Sequence, residues 1–328
     1  GQLYGWNTLG AVAGALAGEM LLIERFGLTG TGAVAASLNL VAALAATRLA
    51  PGLPSAEAAE PAVARPVAGP GGPAWRLMAA AAISGGLLLA LEVIWFRFIL
   101  LFTMGTTATF AIMLAVVLAG IGLGGLLGSA WLRRDPAAAR ALPLVALLAG
   151  ASVLLAYATF SPAPHAGLLS RWLPTLGPYA VSGLRLMLPT SLLSGLLFTL
   201  LGQALRRHVA GESRPAGLLT LANTAGAMLG ALVGGILLLP RLGLERSFLV
   251  LGGAYGLVAL LCAADGPGPA PRVWRRLTLG AAAGFGLALA LFPHGRLDRT
   301  LTQLWKQWGP DRVVARREGL TETVAYLA

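Results

Sequence analysis

Between positions 77 and 132 the chain carries only two charged side chains, Glu92 and Arg97. A water-facing domain cannot be built from such a run, because its outer surface would offer the solvent almost nothing polar. One membrane crossing takes about 20 apolar residues. The run is therefore expected to cross twice, turning at the polar stretch Thr103-Met104-Gly105-Thr106-Thr107. The rest of the chain has the same character. It is 57% hydrophobic and 11% charged, with a mean hydropathy of +0.77, whereas soluble domains are about 25% charged. The expected fold class is all-α, a polytopic transmembrane helix bundle of about nine spans.

The other expected spans are residues 3–23, 28–47, 141–160, 179–205 (kinked at Pro189), 218–239 and 244–264, with 277–293 a marginal ninth. The stretch 51–73 is rich in Pro, Ala and Gly, holds Glu57, Glu60 and Arg65, and reads as a linker. Residues 161–178 hold four prolines and read as a loop, with a short interfacial helix expected around Trp172. The chain enters a hydrophobic segment at once, with no charged leader region or cleavage site, so no signal peptide is expected. Both ends read as cuts in a longer protein.

Residues 1–46 match residues 217–262 at a constant offset of 216. Asn7-Thr8 recurs as Asn223-Thr224, Gly10/Gly14/Gly18 as Gly226/Gly230/Gly234, Ala15-Leu16 as Ala231-Leu232, and Arg25, Gly27 and Leu28 as Arg241, Gly243 and Leu244. A duplicated six-helix unit of the major-facilitator type accounts for this. The expected division is 1–50 as the last two helices of a first repeat and 51–75 as the linker. Residues 76–265 form a six-helix second repeat, 266–295 an extra membrane segment, and 296–328 the start of a soluble domain. The first four helices of the first repeat are expected upstream of Gly1.

The net charge of +11 comes from arginines that flank apolar segments. They form no stripe with interleaved aromatics, so they are read as topology signals and anionic-lipid contacts, and nucleic acid is not expected. The linker side receives Arg48, Arg65, Arg76, Arg133, Arg134, Arg140, Arg206, Arg207, Arg214, Arg272, Arg275 and Arg276, and the opposite side mainly Arg25, Arg171, Arg241 and Arg246. The linker side is expected to be cytoplasmic, in a bacterial inner membrane. A ninth segment that spans puts the tail outside; one that lies in the interface leaves it cytoplasmic.

Few residues can carry chemistry. Glu92 and Arg97 sit where an ionisable group costs about 2.5–3.5 kcal/mol to insert, so each needs a partner or a cavity. They are about 140° apart around the helix and do not face each other. Arg97 is expected to snorkel to the interface. Arg185 is the expected partner of Glu92, and Glu19 the alternative partner of Arg185; this set reads either as a structural ion pair or as a substrate or proton site. Asn7 and Asn223, at equivalent repeat positions, read as helix caps or interhelical bonds, or as a symmetric ligand site. The rows Gly10/Gly14/Gly18, Gly120/Gly124/Gly128 and Gly226/Gly230/Gly234 read as helix-packing faces. Cys262 lies in an apolar run. His165, His208 and His294 have no metal-ligand spacing, and no catalytic constellation is present, so neither a metal nor a catalytic residue is expected. From Arg296 to Glu318 the tail is charged, and the stretch Glu318-Gly319-Leu320-Thr321-Glu322-Thr323-Val324 reads as a turn leading into a strand.

Four stretches resemble the fused major-facilitator/spermidine synthase family of transmembrane spermidine synthase-like proteins. They are Ala90-Leu91-Glu92-Val93-Ile94-Trp95-Phe96-Arg97, Leu188-Pro189 with Ser194-Gly195, the repeated Asn-Thr-x-Gly-Ala-x-x-Gly-Ala-Leu, and Arg317-Glu318-Gly319-Leu320-Thr321-Glu322-Thr323-Val324. The resemblance implies a C-terminal polyamine aminopropyltransferase-like domain that binds decarboxylated S-adenosylmethionine. It implies a bundle that anchors this transferase and moves a polyamine or other small molecule. The nucleotide loop and catalytic acids of such a domain are not in this sequence, so no cofactor is expected within the chain itself. The alternative is a major-facilitator-type secondary transporter of a small molecule.

Overall fold

The computed structural model describes residues 2–49, 73–103, 105–162, 177–211, 213–263, 272–305, 313–319 and 323–327. The expected linker at 51–72 and the expected interfacial helix near Trp172 lie outside them.

Apolar composition produces helices wherever the sequence is long enough. They are α1 (Gln2–Ala17), α2 (Ile23–Leu49), α3 (Pro73–Ile99), α4 (Thr107–Arg134), α5 (Leu142–Thr159), α6 (Gly177–Leu205), α7 (Arg214–Leu232), α8 (Leu239–Ala263), α9 (Arg272–Ala290) and α10 (Arg296–Trp305). Six helical stretches are long and apolar enough to cross a membrane. Their outward faces carry Leu127, Leu148, Leu155, Met228, Leu229, Ile236, Leu257 and Leu260, all exposed. A continuous apolar exterior of this kind is stable only against lipid.

Two of the six stretches, Gly5–Leu49 (45 residues) and Arg214–Ala263 (50 residues), are the duplicated segments. As straight helices they would reach about 70 Å, more than twice the hydrocarbon thickness. Each is divided by one glycine with a left-handed φ: Gly27 (φ 65°, ψ −176°) and Gly243 (φ 74°, ψ 175°). A side chain at either position would be strained, which is why glycine recurs there. Just before each hinge lies a π-helical turn, Gly18–Leu22 and Val233–Leu238. In the first, Ile23 N–H donates to the Gly18 carbonyl; in the second, Leu239 N–H donates to that of Gly234. These residues are equivalent at the offset of 216, so the duplicated sequence takes the same local backbone twice.

The surroundings of the two copies differ. α7 runs alongside α3, and the close approach is set by glycine: a Cβ at Gly226 would overlap the Ala82 carbonyl, and one at Gly230 that of Gly86. α8 then returns along α5 and α3. In the first copy α1 packs on α4, with Gly5 against Gly122 and Leu126. Gly10, Gly14 and Gly18 have nothing within 4 Å of a built Cβ, and α2 buries no residue. The packing role expected of that row is therefore not filled among the described residues. Gly120, Gly124 and Gly128 do fill theirs, holding α4 against α6.

α9 runs the full length of the bundle on α5. Trp274 near its start lies 5.7 Å from Trp131 at the linker-side end of α4, while Phe292 just beyond it stacks on Tyr157, near the far end of α5, at 5.2 Å. Arg272, Arg275 and Arg276 lower its hydropathy without shortening its reach. The tail therefore emerges at the end opposite the arginine-rich one. It continues as α10 and an antiparallel hairpin of β1 (Val313–Glu318) and β2 (Thr323–Leu327). The strand expected after Glu318 is thus β2. Its partner β1 lies in the charged stretch read only as a lead-in, because Val313-Val314-Ala315-Arg316-Arg317 is too short and too charged to announce a strand alone.

Candidate functional site

Glu92 and Asn223, assigned separately from the sequence, line one cavity of about 150 Å³ between α3, α4, α6 and α7. Its other polar walls are Ser84 and Ser194, both nearly fully buried. Helix geometry brings them together. Ser84 and Glu92 are eight residues apart, about 80° around α3, which keeps both on one broad face. Asn223 sits one turn before Gly226 on the α7 face pressed against that helix, and a Cβ at Gly85 would meet the Asn223 side-chain oxygen at 2.6 Å. Gly85 and Gly195 leave the chamber its room.

The Ser194 hydroxyl lies 3.1 Å from that of Tyr255, and the Ser84 hydroxyl donates to the Ala81 carbonyl at 3.1 Å. Ser152 and Thr190 pair at 2.7 Å in the neighbouring α5–α6 contact. Glu92, among the described residues the only ionisable group lining the chamber, makes no hydrogen bond or ion pair to them. A carboxylate facing neutral oxygens and amides inside an apolar bundle must be discharged by a proton or a bound cation. Chemically, the chamber is a place where one positive charge can be held and released. The buried Trp95 indole N–H, one turn from Glu92, has no acceptor among the described residues, and nothing in the structure explains it.

The other sequence candidates go elsewhere. Arg185 is exposed on α6 and pairs with neither Glu92 nor Glu19. Glu19 instead accepts a hydrogen bond from the Thr107 hydroxyl at 2.5 Å, tying the first π-turn to the start of α4. Arg97 does not snorkel: it is only 8% exposed and donates, at a long 3.4 Å, to the Gly319 carbonyl of the C-terminal hairpin. The hairpin turn thus reaches the end of α3, and a charge expected to face water is buried and bonded to it. Asn7 is exposed and Asn223 lines the chamber, so the repeat pair makes no symmetric site. Neither caps a helix, since α1 begins at Gln2 and α7 at Arg214.

Sequence reasoning missed Glu245. It stands two residues after the Gly243 hinge and accepts from Tyr157 Oη (2.5 Å), Gly295 N–H (2.5 Å) and Leu297 N–H (3.1 Å). Its carboxylate thus caps the start of α10 and clamps the tail to α5 and α8. Arg296 adds a bond to the Phe160 carbonyl at 2.9 Å. The available signal was a break in the repeat, because the first copy carries Thr29 at this position. No family model, curated protein or solved structure matches the chain.

Proposed function

We propose that this chain is the membrane portion of a fused major-facilitator/spermidine synthase-type protein, and that its bundle carries a small polar solute by way of the Glu92 chamber. The observation behind the carrier reading is the unpaired carboxylate held in a small polar cavity within an apolar bundle. A scaffold that only anchors a domain gains nothing from that arrangement and bears its insertion cost. Loading and unloading a proton or a small organic cation, such as a polyamine, makes use of it.

A duplicated six-helix architecture is supported by the shared π-turns and hinges. It is supported too by the vacant Gly10/Gly14/Gly18 row, whose equivalents seat α3. An α3-like helix of a first repeat belongs on that row. In this reading both glycine hinges reverse the chain and α9 crosses, so that α1 to α9 make nine passes. The arginine-rich end then faces the cytoplasm of a bacterial inner membrane, and the tail lies outside.

That placement favours the second reading, a major-facilitator-type transporter whose appended tail is not a transferase. Decarboxylated S-adenosylmethionine is a cytoplasmic metabolite, and a soluble domain continuing from the hairpin would face away from it. Labelling separates the two readings. In a Cys262→Ala background, a cysteine in place of exposed His294 is expected to react with impermeant maleimide from outside intact cells, and one in place of Arg134 only after lysis. A His294→Cys variant labelled only after lysis returns the tail to the cytoplasm and the transferase to contention. Uptake of labelled putrescine and spermidine into proteoliposomes tests the carrier reading: wild-type uptake abolished by Glu92→Gln is expected. No uptake by wild type rejects a polyamine carrier, and equal uptake by both proteins rejects the Glu92 chamber as its path.

A further inference from the structure

A second cavity, of about 570 Å³, opens between the ends of α1, α4, α6 and α7 on the arginine-rich side. It is distinct from the Glu92 chamber, and its chemistry is opposite. Its lining includes two guanidinium groups, Arg133 and Arg206, and, among the described residues, no carboxylate. Carboxamides come from Gln2 and Gln203, and hydroxyls from Ser129 and Thr199 among others. The apolar remainder includes Leu132 and Phe198.

Arginines at the last turn of a helix are ordinarily explained by the helix dipole and by lipid headgroups outside the bundle. Arg134 and Arg272 fit that description, since both are exposed and neither lines this cavity. Arg133 and Arg206 are exposed as well, but they come from two different helices and line one open cavity that also gathers neutral donors. Two charged forks, amides and hydroxyls supply more hydrogen-bond donors than a carboxylate can use, whereas a phosphate presents three acceptor oxygens and up to two negative charges. The apolar wall leaves space for an organic substituent.

We propose that this vestibule binds the phosphate group of an organic phosphate ester, either a free small molecule or a phospholipid headgroup entering from the cytoplasmic leaflet. The site lies where the two duplicated segments approach each other, because Gln2 belongs to the first and Leu219 and Thr220 to the second. Phe198 lines both this vestibule and the Glu92 chamber, so one aromatic ring separates the anion site from the cation site. The proposal does not need the carrier reading: Glu92→Gln leaves phosphate binding intact if the vestibule is an independent site.

The test uses the purified full chain in phosphatidylcholine nanodiscs, with glycerol 3-phosphate as the soluble probe and added phosphatidylglycerol as the lipid probe. Thermal stability and native mass spectrometry read the binding. Wild type is expected to be stabilised by one probe, and Arg133→Gln/Arg206→Gln to bind that probe about 100-fold more weakly, at about tenfold per charged contact. Stabilisation by glycerol 3-phosphate identifies a small-molecule site, and retention of phosphatidylglycerol alone identifies a headgroup site. Arg134→Gln/Arg272→Gln carries the same charge change outside the cavity and is expected to bind normally. Gln203→Leu keeps every charge and is expected to lose severalfold, which preserves the test should the double variant misfold. No binding of either probe, or equal loss in the Arg134/Arg272 control, overturns the proposal.

Discussion

Gly230→Ala and Gly14→Ala are the same substitution at equivalent positions of a duplicated sequence, and the structure gives them opposite outcomes. In a helix interior, alanine is favoured over glycine by about 0.5–1 kcal/mol. At Gly14 nothing lies within 4 Å of the added Cβ, so that gain is realised in full. At Gly230 the Cβ would overlap the backbone carbonyl of Gly86, and a backbone cannot rotate out of the way as a side chain can. α7 must move off α3, at a cost of about 1–3 kcal/mol for overpacking. The upper end applies, because the contact continues through Gly226 and Gly234. Net of propensity, Gly230→Ala is expected to destabilise by about 2–2.5 kcal/mol, while Gly14→Ala stabilises by up to about 1 kcal/mol. SDS titration of the purified 328-residue chain, followed by helical circular dichroism, measures both. Equal effects at the two sites, in either direction, would refute the packing asymmetry and with it the assignment of the α3–α7 seam to glycine.

Glu92→Gln spares the bundle the cost of neutralising a carboxylate in an apolar interior, so it is expected to raise stability by about 1–3 kcal/mol in the same titration while removing function; a destabilised variant would mean that Glu92 has a partner. Glu245→Ala takes away the acceptor shared by Tyr157, Gly295 and Leu297, at about 1–3 kcal/mol of local stability. Hydrogen exchange at the amides of residues 295 and 297 is expected to accelerate at least about tenfold, with α3–α7 protection unchanged. Thr29→Glu, at the equivalent first-copy position, meets no tail and is expected to leave exchange in residues 290–300 unaltered. Cys262 is 2% exposed and is expected to resist maleimide until SDS unfolds the bundle.

The membrane character and the duplicated segment were legible in the sequence because they rest on local properties. An apolar run of 20 or more residues satisfies its backbone as a helix whatever surrounds it, and a lone glycine in Arg-x-Gly-Leu marks the hinge because only that residue tolerates the left-handed φ of Gly27 and Gly243. Helical period likewise fixed which side chains share a face and which do not, as with Glu92 and Arg97. What period cannot fix is which helix that face meets. Tertiary packing alone decided that Glu92 shares a chamber with Asn223 and not with Arg185, and that Arg97 lies beneath the hairpin carbonyl of Gly319, 222 residues away. It also set one glycine row against α3 and left its twin empty, and it made Glu245 the clamp on the tail. These outcomes depend on contacts between residues far apart in the chain, and in a bundle whose helices are apolar on every side the hydrophobic pattern does not choose among them.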